Sequence, residues 1–267
     1  MASNKREREL ARMRAERQAA RRAAAELQRR QRRNALLVGG VVAAVVGVLV
    51  VVVVVVGLGK TDKTKDTTVS SSKYGNTGGN GSCAYTKTGS AAKKVDGIPP
   101  TSGVLTSGSE TVAFKTNQGD LAFSLATAKA PCTVNSFVFL AQQGYFDNTK
   151  CHRLTTSGIY VLQCGDPTGT GTGGPGYQFA DENLKGATYP AGTIAMANSG
   201  TATNGSQFFL VYKDTQLPPS YTPFGTVTSG LDVLNKIAAK GVKGGGGDGA
   251  PALATTITKV TVAAAVS

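Results

Sequence analysis

The feature that most constrains this chain is an unbroken apolar segment, residues 35–58, in which every side chain belongs to Ala, Leu, Val or Gly. A helix of these 24 residues would be about 36 Å long, enough to cross a hydrocarbon core of about 30 Å with some tilt. A helix of a soluble domain would carry a polar stripe, and a cleaved signal peptide would have a shorter apolar stretch. The segment is therefore predicted to be one retained transmembrane helix.

The charges on either side of this segment predict its orientation. Residues 1–34 contain twelve Lys or Arg against four Asp or Glu, whereas the lysines after the span are interleaved with Asp62 and Asp66. Basic residues stay on the cytoplasmic side, so residues 1–34 are predicted to be a basic cytoplasmic arm of a single-pass protein of the cell membrane. A basic arm can also bind nucleic acid, but neighbouring anionic lipid explains its charge more simply. No nucleic-acid partner is expected.

Residues 59–104 are rich in Ser, Thr, Gly, Lys and Asn and contain few apolar side chains. Such a composition cannot bury enough apolar surface to offset the entropy lost on ordering. We therefore predict a flexible extracytoplasmic linker with a root-mean-square span of about 35–40 Å. It would connect the membrane to a folded domain, residues 105–267.

The hydrophobic pattern of this domain predicts many short strands and two helices. Alternating runs at 111–116 and 121–125 flank a polar, glycine-containing turn, which is a hairpin signal. Pro131 opens a segment with apolar residues at helical spacing, and a second amphipathic helix lies around 231–238. Short strands with glycine-rich turns predict a mainly β domain built as a small closed barrel.

Several ordered motifs run from about Thr111 to Val262. They are Thr116–Asp120, Ala130–Pro131, Thr133–Phe137, Gly144–Asp147, His152–Arg153, Gln163–Pro167, Gly171–Gly174, Phe179, Asp181–Asn183, Met196–Asn198, Thr203–Phe209 and Phe224–Gly225. Together they resemble the cyclophilins, a family of peptidyl-prolyl cis-trans isomerases. The resemblance implies a closed eight-stranded antiparallel cyclophilin-like barrel capped by two helices, here preceded by the transmembrane helix.

Arg153 is the candidate catalytic residue. It is the only arginine after residue 34, in a stretch that carries sixteen lysines, and it stands beside the only histidine. A guanidinium is a flat fork of donors that stays charged when partly dehydrated. In the family the matching arginine favours the twisted prolyl nitrogen, and the resemblance carries this role to Arg153.

The resemblance also implies ten residues that bind the peptide: Tyr160, Val161, Gln163, Ala197, Asn198, Ser199, Gln207, Phe209, Leu217 and Tyr221. The apolar members would hold the proline ring, and the two glutamines would orient Arg153 and the peptide backbone. Because neighbours on a strand face opposite sides, one ring of Phe208 and Phe209 is expected in the core and the other in the groove. The connection after Arg153 is two residues longer than usual, which leaves the register of Tyr160 open by one residue.

His152 follows the same alternation. As the neighbour of Arg153 on a strand, it should point to the opposite face. We predict a structural, hydrogen-bonded histidine rather than a general base.

The chain contains no tryptophan. Many members of the family use a pocket tryptophan to hold cyclosporin, and that position falls near Gln216 or Leu217. A histidine common in the pocket wall is replaced by Tyr221. These changes put cyclosporin binding in doubt more than catalysis.

Four cysteines, at positions 83, 132, 151 and 164, would all lie outside the membrane, where disulfides persist. They allow three pairings. A hairpin of 151–155 with 160–164 would bring Cys151 near Cys164, which favours Cys151–Cys164 with Cys83–Cys132. A zinc site is less favoured because the chain has no CxxC spacing and its single histidine is assigned elsewhere.

Two functions fit this sequence. The first is a membrane-anchored isomerase that acts on proline-containing peptides and on unfolded exported proteins. It would need no cofactor or metal, because rotation about the X–Pro bond breaks no covalent bond. The alternative is a tethered module that binds proline peptides in the same groove with negligible turnover.

Overall fold

The computed structural model describes residues 74–263. The predicted cytoplasmic arm and the predicted transmembrane helix lie outside the described residues. Within residues 74–263, no helix has both the length and the apolar character needed to cross a membrane.

The described residues form fourteen strands and two helices. The strands are β1 (Thr77–Ser82), β2 (Thr86–Lys87), β3 (Ser102–Val104), β4 (Glu110–Thr116), β5 (Leu121–Leu125), β6 (Thr149–Lys150), β7 (Arg153–Thr155), β8 (Val161–Cys164), β9 (Tyr177–Gln178), β10 (Thr193–Met196), β11 (Phe208–Val211), β12 (Pro223–Ser229), β13 (Asp248–Gly249) and β14 (Thr256–Val262). The helices are α1 (Pro131–Gln142) and α2 (Leu231–Ala239).

Ten of the strands form one curled antiparallel sheet in the order β13-β7-β8-β11-β10-β12-β5-β4-β14-β6. The prediction of a mainly β, antiparallel domain with two helices is confirmed. The prediction of a closed, eight-stranded barrel is corrected to a ten-stranded half-barrel. The two end strands, β6 and β13, contain two residues each, and runs this short leave no alternating pattern in a sequence.

The first hairpin shows how the sequence pattern becomes structure. Along β4, inward side chains such as Val112 and Phe114 are buried, and the residues between them are exposed. The hairpin to β5 turns at Gly119, whose φ of +138° is readily adopted only by glycine. The Thr116 hydroxyl donates to the backbone oxygen of Gly119 at 2.6 Å and helps close the turn.

The core is a cluster of aromatic rings between the sheet and α1. Phe137 of α1 lies 4.9 Å from Phe146 and 5.5 Å from Phe208, measured between ring centroids. Helix α1 begins at a proline, as predicted, and its first N–H groups are satisfied from outside the helix. The Glu182 carboxylate accepts hydrogen bonds from the backbone nitrogens of Cys132 and Thr133 at 3.1 and 2.7 Å. A carboxylate at this position also suits the positive end of the helix dipole.

We call residues 74–104 the strap. The strap is ordered, which corrects the prediction of a flexible linker through residue 104. The strap carries strands β1 to β3, and β1 pairs with β3. Cys83 and Tyr85 are buried against the core. The Tyr85 hydroxyl donates to the Cys132 backbone oxygen and accepts from the Asn135 amide, both at 2.8 Å.

A disulfide between Cys83 and Cys132 joins the strap to α1. With a sequence separation of 49 between the two cysteines, such a cross-link stabilises by about 4 kcal/mol on a chain-entropy estimate. The composition argument failed here because covalent and hydrogen-bonded contacts replace the apolar surface that the strap lacks.

Candidate active site

Adjacent strands bring the candidate groove residues into one row. Arg153 pairs with Gln163 across β7 and β8, Gln163 pairs with Phe209 across β8 and β11, and Phe209 pairs with Ala195 across β11 and β10. Residues paired across an antiparallel sheet share a face. Strand pairing alone therefore sets the arginine, the glutamine and the aromatic ring side by side.

Phe208 and Phe209 divide between the two faces, as expected for neighbours on one strand. Phe208 is fully buried in the aromatic core. Phe209 packs on the other face in a separate apolar cluster with Val161, Tyr189 and Ala195.

A cavity of about 150 Å³ opens on this second face. Its lining includes eight of the predicted site residues: Arg153, Val161, Gln163, Ala197, Asn198, Phe209, Leu217 and Tyr221. The edge of the Tyr221 ring meets Phe209 at 5.7 Å between centroids. The lining thus combines apolar side chains, Val161, Phe209 and Leu217, with polar ones, Arg153, Gln163 and Asn198. We call this space the proline cavity, after the occupant that the resemblance predicts for it.

Tyr160, predicted to line this cavity, does not do so. Ile159 occupies that place, so the register differs by one residue from the predicted one. The Tyr160 ring packs instead against Tyr212 at 6.0 Å, with the Lys213 ammonium 4.5 Å from its centroid. Ile159 and Tyr160 are neighbours just before β8, and a difference of one position reverses the face on which a residue of an extended chain lies.

Ser199 and Gln207 lie in a neighbouring cavity of about 600 Å³ rather than in the proline cavity. Gln207 is still connected to the arginine. Its Oε1 accepts a hydrogen bond from the Gln163 amide at 2.9 Å, and the Gln163 Oε1 accepts one from Arg153 Nη1 at 3.2 Å. Gln163 therefore contacts Arg153 directly and Gln207 contacts it through Gln163, and their role in orienting the arginine stays a prediction.

The Arg153 guanidinium also forms a two-pronged ion pair with Asp248 on β13. Its Nε and Nη2 donate to the two carboxylate oxygens at 2.8 and 2.7 Å. The hydrogen bond with Arg153 lowers the pKa of Asp248, and the same bond raises the pKa of Arg153. Sequence reasoning missed Asp248, which follows a run of glycines at 244–247. Only the pairing of β13 with β7 brings it to the site.

The buried side chain of Asp166 orders the loop 168–173, which contacts Gln207. Asp166 accepts hydrogen bonds from the backbone nitrogens of Thr168, Gly171 and Gly173 at 2.7 to 3.1 Å. Burial by itself raises the pKa of Asp166, but the Thr168 hydroxyl and these N–H groups lower it to about 2. The loop then presents the backbone oxygens of Gly171 and Gly173 to the Gln207 amide at 2.9 and 3.0 Å. The chain of contacts from Asp166 to Arg153 is continuous.

The prediction that His152 is hydrogen-bonded through its ring is wrong within the described residues. Both ring nitrogens are buried and have no hydrogen-bond partner among residues 74–263. Its contact with the sheet is through the backbone nitrogen, which donates to the Gln163 oxygen at 3.0 Å. Burial lowers the pKa of His152, Asp166 opposes that effect, and Arg153 adds to it. The His152 ring packs near Gly171, where an added Cβ would lie 3.6 Å from its Nε2.

The second disulfide joins Cys151 to Cys164, so both pairs favoured from the sequence are formed. It links Cys151, two residues before β7, to Cys164 at the end of β8 and brackets the pair of Arg153 and Gln163. The described residues contain no group of three or more His, Cys, Asp or Glu side chains able to hold a metal ion.

The fold is a ten-stranded curled sheet with two helices, and the candidate site is an arginine that lines a partly apolar cavity. Comparison with known proteins identifies the class of protein that has these features. The model of the family described as cyclophilin type peptidyl-prolyl cis-trans isomerase/CLD matches residues 111–262. The match covers more than half of the chain, and the chain belongs to this family.

Curated relatives include the probable peptidyl-prolyl cis-trans isomerase B of Mycobacterium tuberculosis (strain H37Rv). This chain is 52% identical to it over 193 residues, which cover 67% of this chain and 63% of the relative. The protein of the same name from Mycobacterium leprae is 55% identical over 183 residues, covering 62% and 61% of the two chains. The matched region therefore spans less than two thirds of these relatives.

Solved structures also match this domain. A cyclophilin type peptidyl-prolyl cis-trans isomerase of Cryptosporidium parvum has a TM-score of 0.53 at 32% identity, covering 59% of this chain and 99% of that one. The crystal structure of this protein in the presence of the dipeptide Ala-Pro has a TM-score of 0.52 at 33% identity, covering 58% and 99%.

Proposed function

We propose that this protein accelerates cis-trans isomerisation of X–Pro bonds, with Arg153 as the catalytic residue. The observation that carries the proposal is the guanidinium at the edge of an apolar cavity lined by Phe209 and Leu217. The barrier of roughly 20 kcal/mol arises from amide resonance, which is lost as the bond twists. The twisted prolyl nitrogen has a free lone pair that can accept a hydrogen bond, whereas the planar nitrogen does not.

Arg153 is arranged to donate to that nitrogen. A guanidinium has five N–H donors, and three of them are used by Asp248 and Gln163. Within residues 74–263, two donors remain for a substrate held in the cavity. Because this bond forms only in the twisted state, it lowers the barrier instead of only tightening binding.

The neighbours of Arg153 hold its plane in place. Asp248 fixes one edge and Gln163 the other, and Gln163 is itself held by Gln207. A donor that is already oriented loses little freedom when the substrate reaches the twisted state. The proline ring would occupy the apolar side of the cavity, against Phe209 and Leu217.

Proline-containing peptides are the proposed substrates. The related C. parvum protein was crystallised in the presence of Ala-Pro, which supports this assignment. The backbone of an extended peptide would lie along Ala197 and Asn198, both of which line the proline cavity.

We further propose that residues 35–58 anchor the isomerase on the outer side of the cell membrane, where it assists unfolded exported proteins. The uninterrupted apolar run and the basic arm before it support the anchor. Two disulfides support an oxidising compartment. Protease treatment of intact cells tests this: the domain should be digested while the N-terminal arm is protected, and the reverse pattern would contradict the orientation.

The catalytic proposal is tested on the full-length protein, wild type beside Arg153→Ala and Arg153→Lys. Exchange NMR on a proline peptide measures the isomerisation rate. Loss of a transition-state donor costs about 100-fold in rate, so the alanine variant should lose about that factor. The lysine variant should recover only part of it, because an ammonium lacks the planar fork. Equal rates in all three proteins would contradict the mechanism.

The ion pair with Asp248 is the observation that favours the second candidate, a binding module without turnover, because it offsets the charge of Arg153. The same experiment separates the two. A binding module would bind the peptide and leave its exchange rate at the uncatalysed value.

A further inference from the structure

A second cavity, of about 600 Å³, adjoins the proline cavity and shares Gln163, Ala197 and Asn198 with it. Part of its wall is formed by residues within the region matched by the family, mainly the glycine-rich run 171–178. Another part is formed by Thr88, Gly89 and Ser90 of the strap. The strap lies outside residues 111–262, the region matched by the family. We call this space the strap cavity.

The wall formed by the strap is held at both ends. Before it, β2 pairs with β9 in a separate two-stranded sheet, Thr86 with Gln178 and Lys87 with Tyr177. In the wall itself, the backbone nitrogen of Thr88 donates to the backbone oxygen of Gly176 at 2.9 Å. After the wall, the backbone nitrogen of Ala92 donates to the backbone oxygen of Gly174 at 2.8 Å. The Cys83 disulfide anchors the chain a few residues earlier. These contacts on both sides make Thr88–Ser90 a fixed part of the cavity.

Gly176 shows how closely the strap approaches the glycine-rich run 171–178. A Cβ at this position would lie 2.8 Å from the backbone nitrogen of Ala91 and 2.9 Å from the backbone oxygen of Gly89. Its φ of +81° also favours glycine. A Cβ at Gly173 would meet the Asp166 carboxylate first and would also lie 3.1 Å from the Cβ of Ala92. Gly176 therefore accommodates the strap by presenting backbone where a side chain would collide with it.

The chemistry of the strap cavity indicates its occupant. Every residue that lines it is uncharged, and many are Thr, Ser, Asn, Gln or Gly. Such a lining suits a neutral stretch of polypeptide, whose backbone groups need hydrogen-bond partners and whose side chains need space. Because the two cavities share three residues, a peptide with its proline in one reaches the other within a few residues.

We propose that Thr88–Ser90 of the strap determine which residues the isomerase accepts beside the proline, by contacting the substrate side chain that occupies the strap cavity. This inference rests on the proposed binding of proline beside Arg153. It assigns to the strap a part in substrate selection in addition to its structural contacts.

The test uses Thr88→Tyr, which fills the strap cavity from the strap side. Thr86→Tyr is the matched control: it is the same substitution at another exposed strap residue, but one that does not line the cavity. Peptides carry Ala or Phe at each of the two positions on either side of the proline. Exchange NMR on the full-length proteins gives kcat/KM for each peptide.

For at least one flanking position, Thr88→Tyr should lower kcat/KM at least fivefold for the Phe peptide and less than twofold for the Ala peptide. Thr86→Tyr should change both by less than twofold. The inference is overturned if Thr88→Tyr affects Phe and Ala peptides by the same factor at every position, or if Thr86→Tyr reproduces its selectivity. Failure of the proposed function looks different, because the wild type would then not accelerate even the alanine peptides.

Discussion

Strands β8 and β11 present different chemistry on their two faces. Leu162 and Phe208 point inward and are buried in the aromatic core. Their neighbours Gln163 and Phe209 point outward and line the proline cavity. Residues adjacent in sequence therefore divide between stabilising the barrel and forming the site.

This difference predicts that stability and binding can be changed separately along one strand. Side chains alternate with a period of two, so a substitution affects one face and largely spares the other. It also explains why the register matters, since a slip of one residue would exchange the two sets. The predictions below compare the two faces, from the largest expected effect to the smallest.

Phe208→Ala should lower the free energy of unfolding by about 3–5 kcal/mol, as removal of a buried ring does. Phe208 lies 5.7 Å from Phe114 and 5.7 Å from Phe146 between ring centroids, and those contacts would be lost. Chemical denaturation measures the effect. Phe209→Ala is the control and should cost at least about 1 kcal/mol less, because its ring borders an open cavity. Equal losses would refute the division between the faces.

Phe209→Ala should instead reduce kcat/KM for a proline peptide by roughly 30-fold. Burial of a large apolar group against the proline contributes about 2 kcal/mol, and that amount corresponds to roughly 30-fold. The loss should appear mainly in KM, in contrast to Arg153→Ala, which should act mainly on kcat. A change confined to kcat would argue against Phe209 as a wall of the proline site.

Asp248→Ala should lower kcat about fivefold and leave the free energy of unfolding within about 0.5 kcal/mol of the wild type, because an exposed ion pair contributes little to stability. The side chains of Arg153 and Asp248 are 40% and 55% exposed, so the effect should come from orientation of the guanidinium. Asp248→Asn keeps an acceptor and should lose less activity than Asp248→Ala. A faster Asp248→Ala enzyme would show that the carboxylate restrains Arg153 instead of orienting it.

His152 should make stability depend on pH. Burial lowers its pKa below the ordinary 6.5, so between the two pKa values the unfolded chain binds more protons than the folded one. Stability is then fully present above pH 6.5 and declines as the pH falls, by at most about 1.4 kcal/mol per pH unit. The difference between wild type and His152→Phe, measured by denaturation from pH 8 to pH 5, isolates this contribution. A difference that does not vary with pH would exclude it.

Much of the site was predictable from the sequence because alternation and strand pairing are local rules. The division of Phe208 and Phe209, the position of α1 after Pro131 and the grouping of Arg153 with Gln163 follow from periodicity, a helix-start signal and the family motifs. Tyr160 shows the limit of such rules. Its register before β8 was open by one residue, and Ile159 lines the cavity instead.

Asp248 and the strap were not predictable, since each depends on contacts between residues far apart in the chain. Asp248 contacts Arg153 although the two lie 95 positions apart in the chain. The run of glycines before Asp248 carries no sequence signal that would identify it as the partner of Arg153. The strap reads as a linker because its apolar content is low. Its order comes from the Cys83 disulfide, from the hydrogen bonds of Tyr85 and from its approach to Gly176.

By itself, the sequence determined the class of fold, the lone arginine and the apolar residues that accompany it, because these depend on side-chain chemistry and on short-range periodicity. Only the tertiary structure decided which acid holds that arginine, which residue closes the proline cavity and that the strap forms a wall of the adjoining one. The physical reason is that these features arise where separate segments meet, and the energy of such contacts depends on distances that no local pattern records.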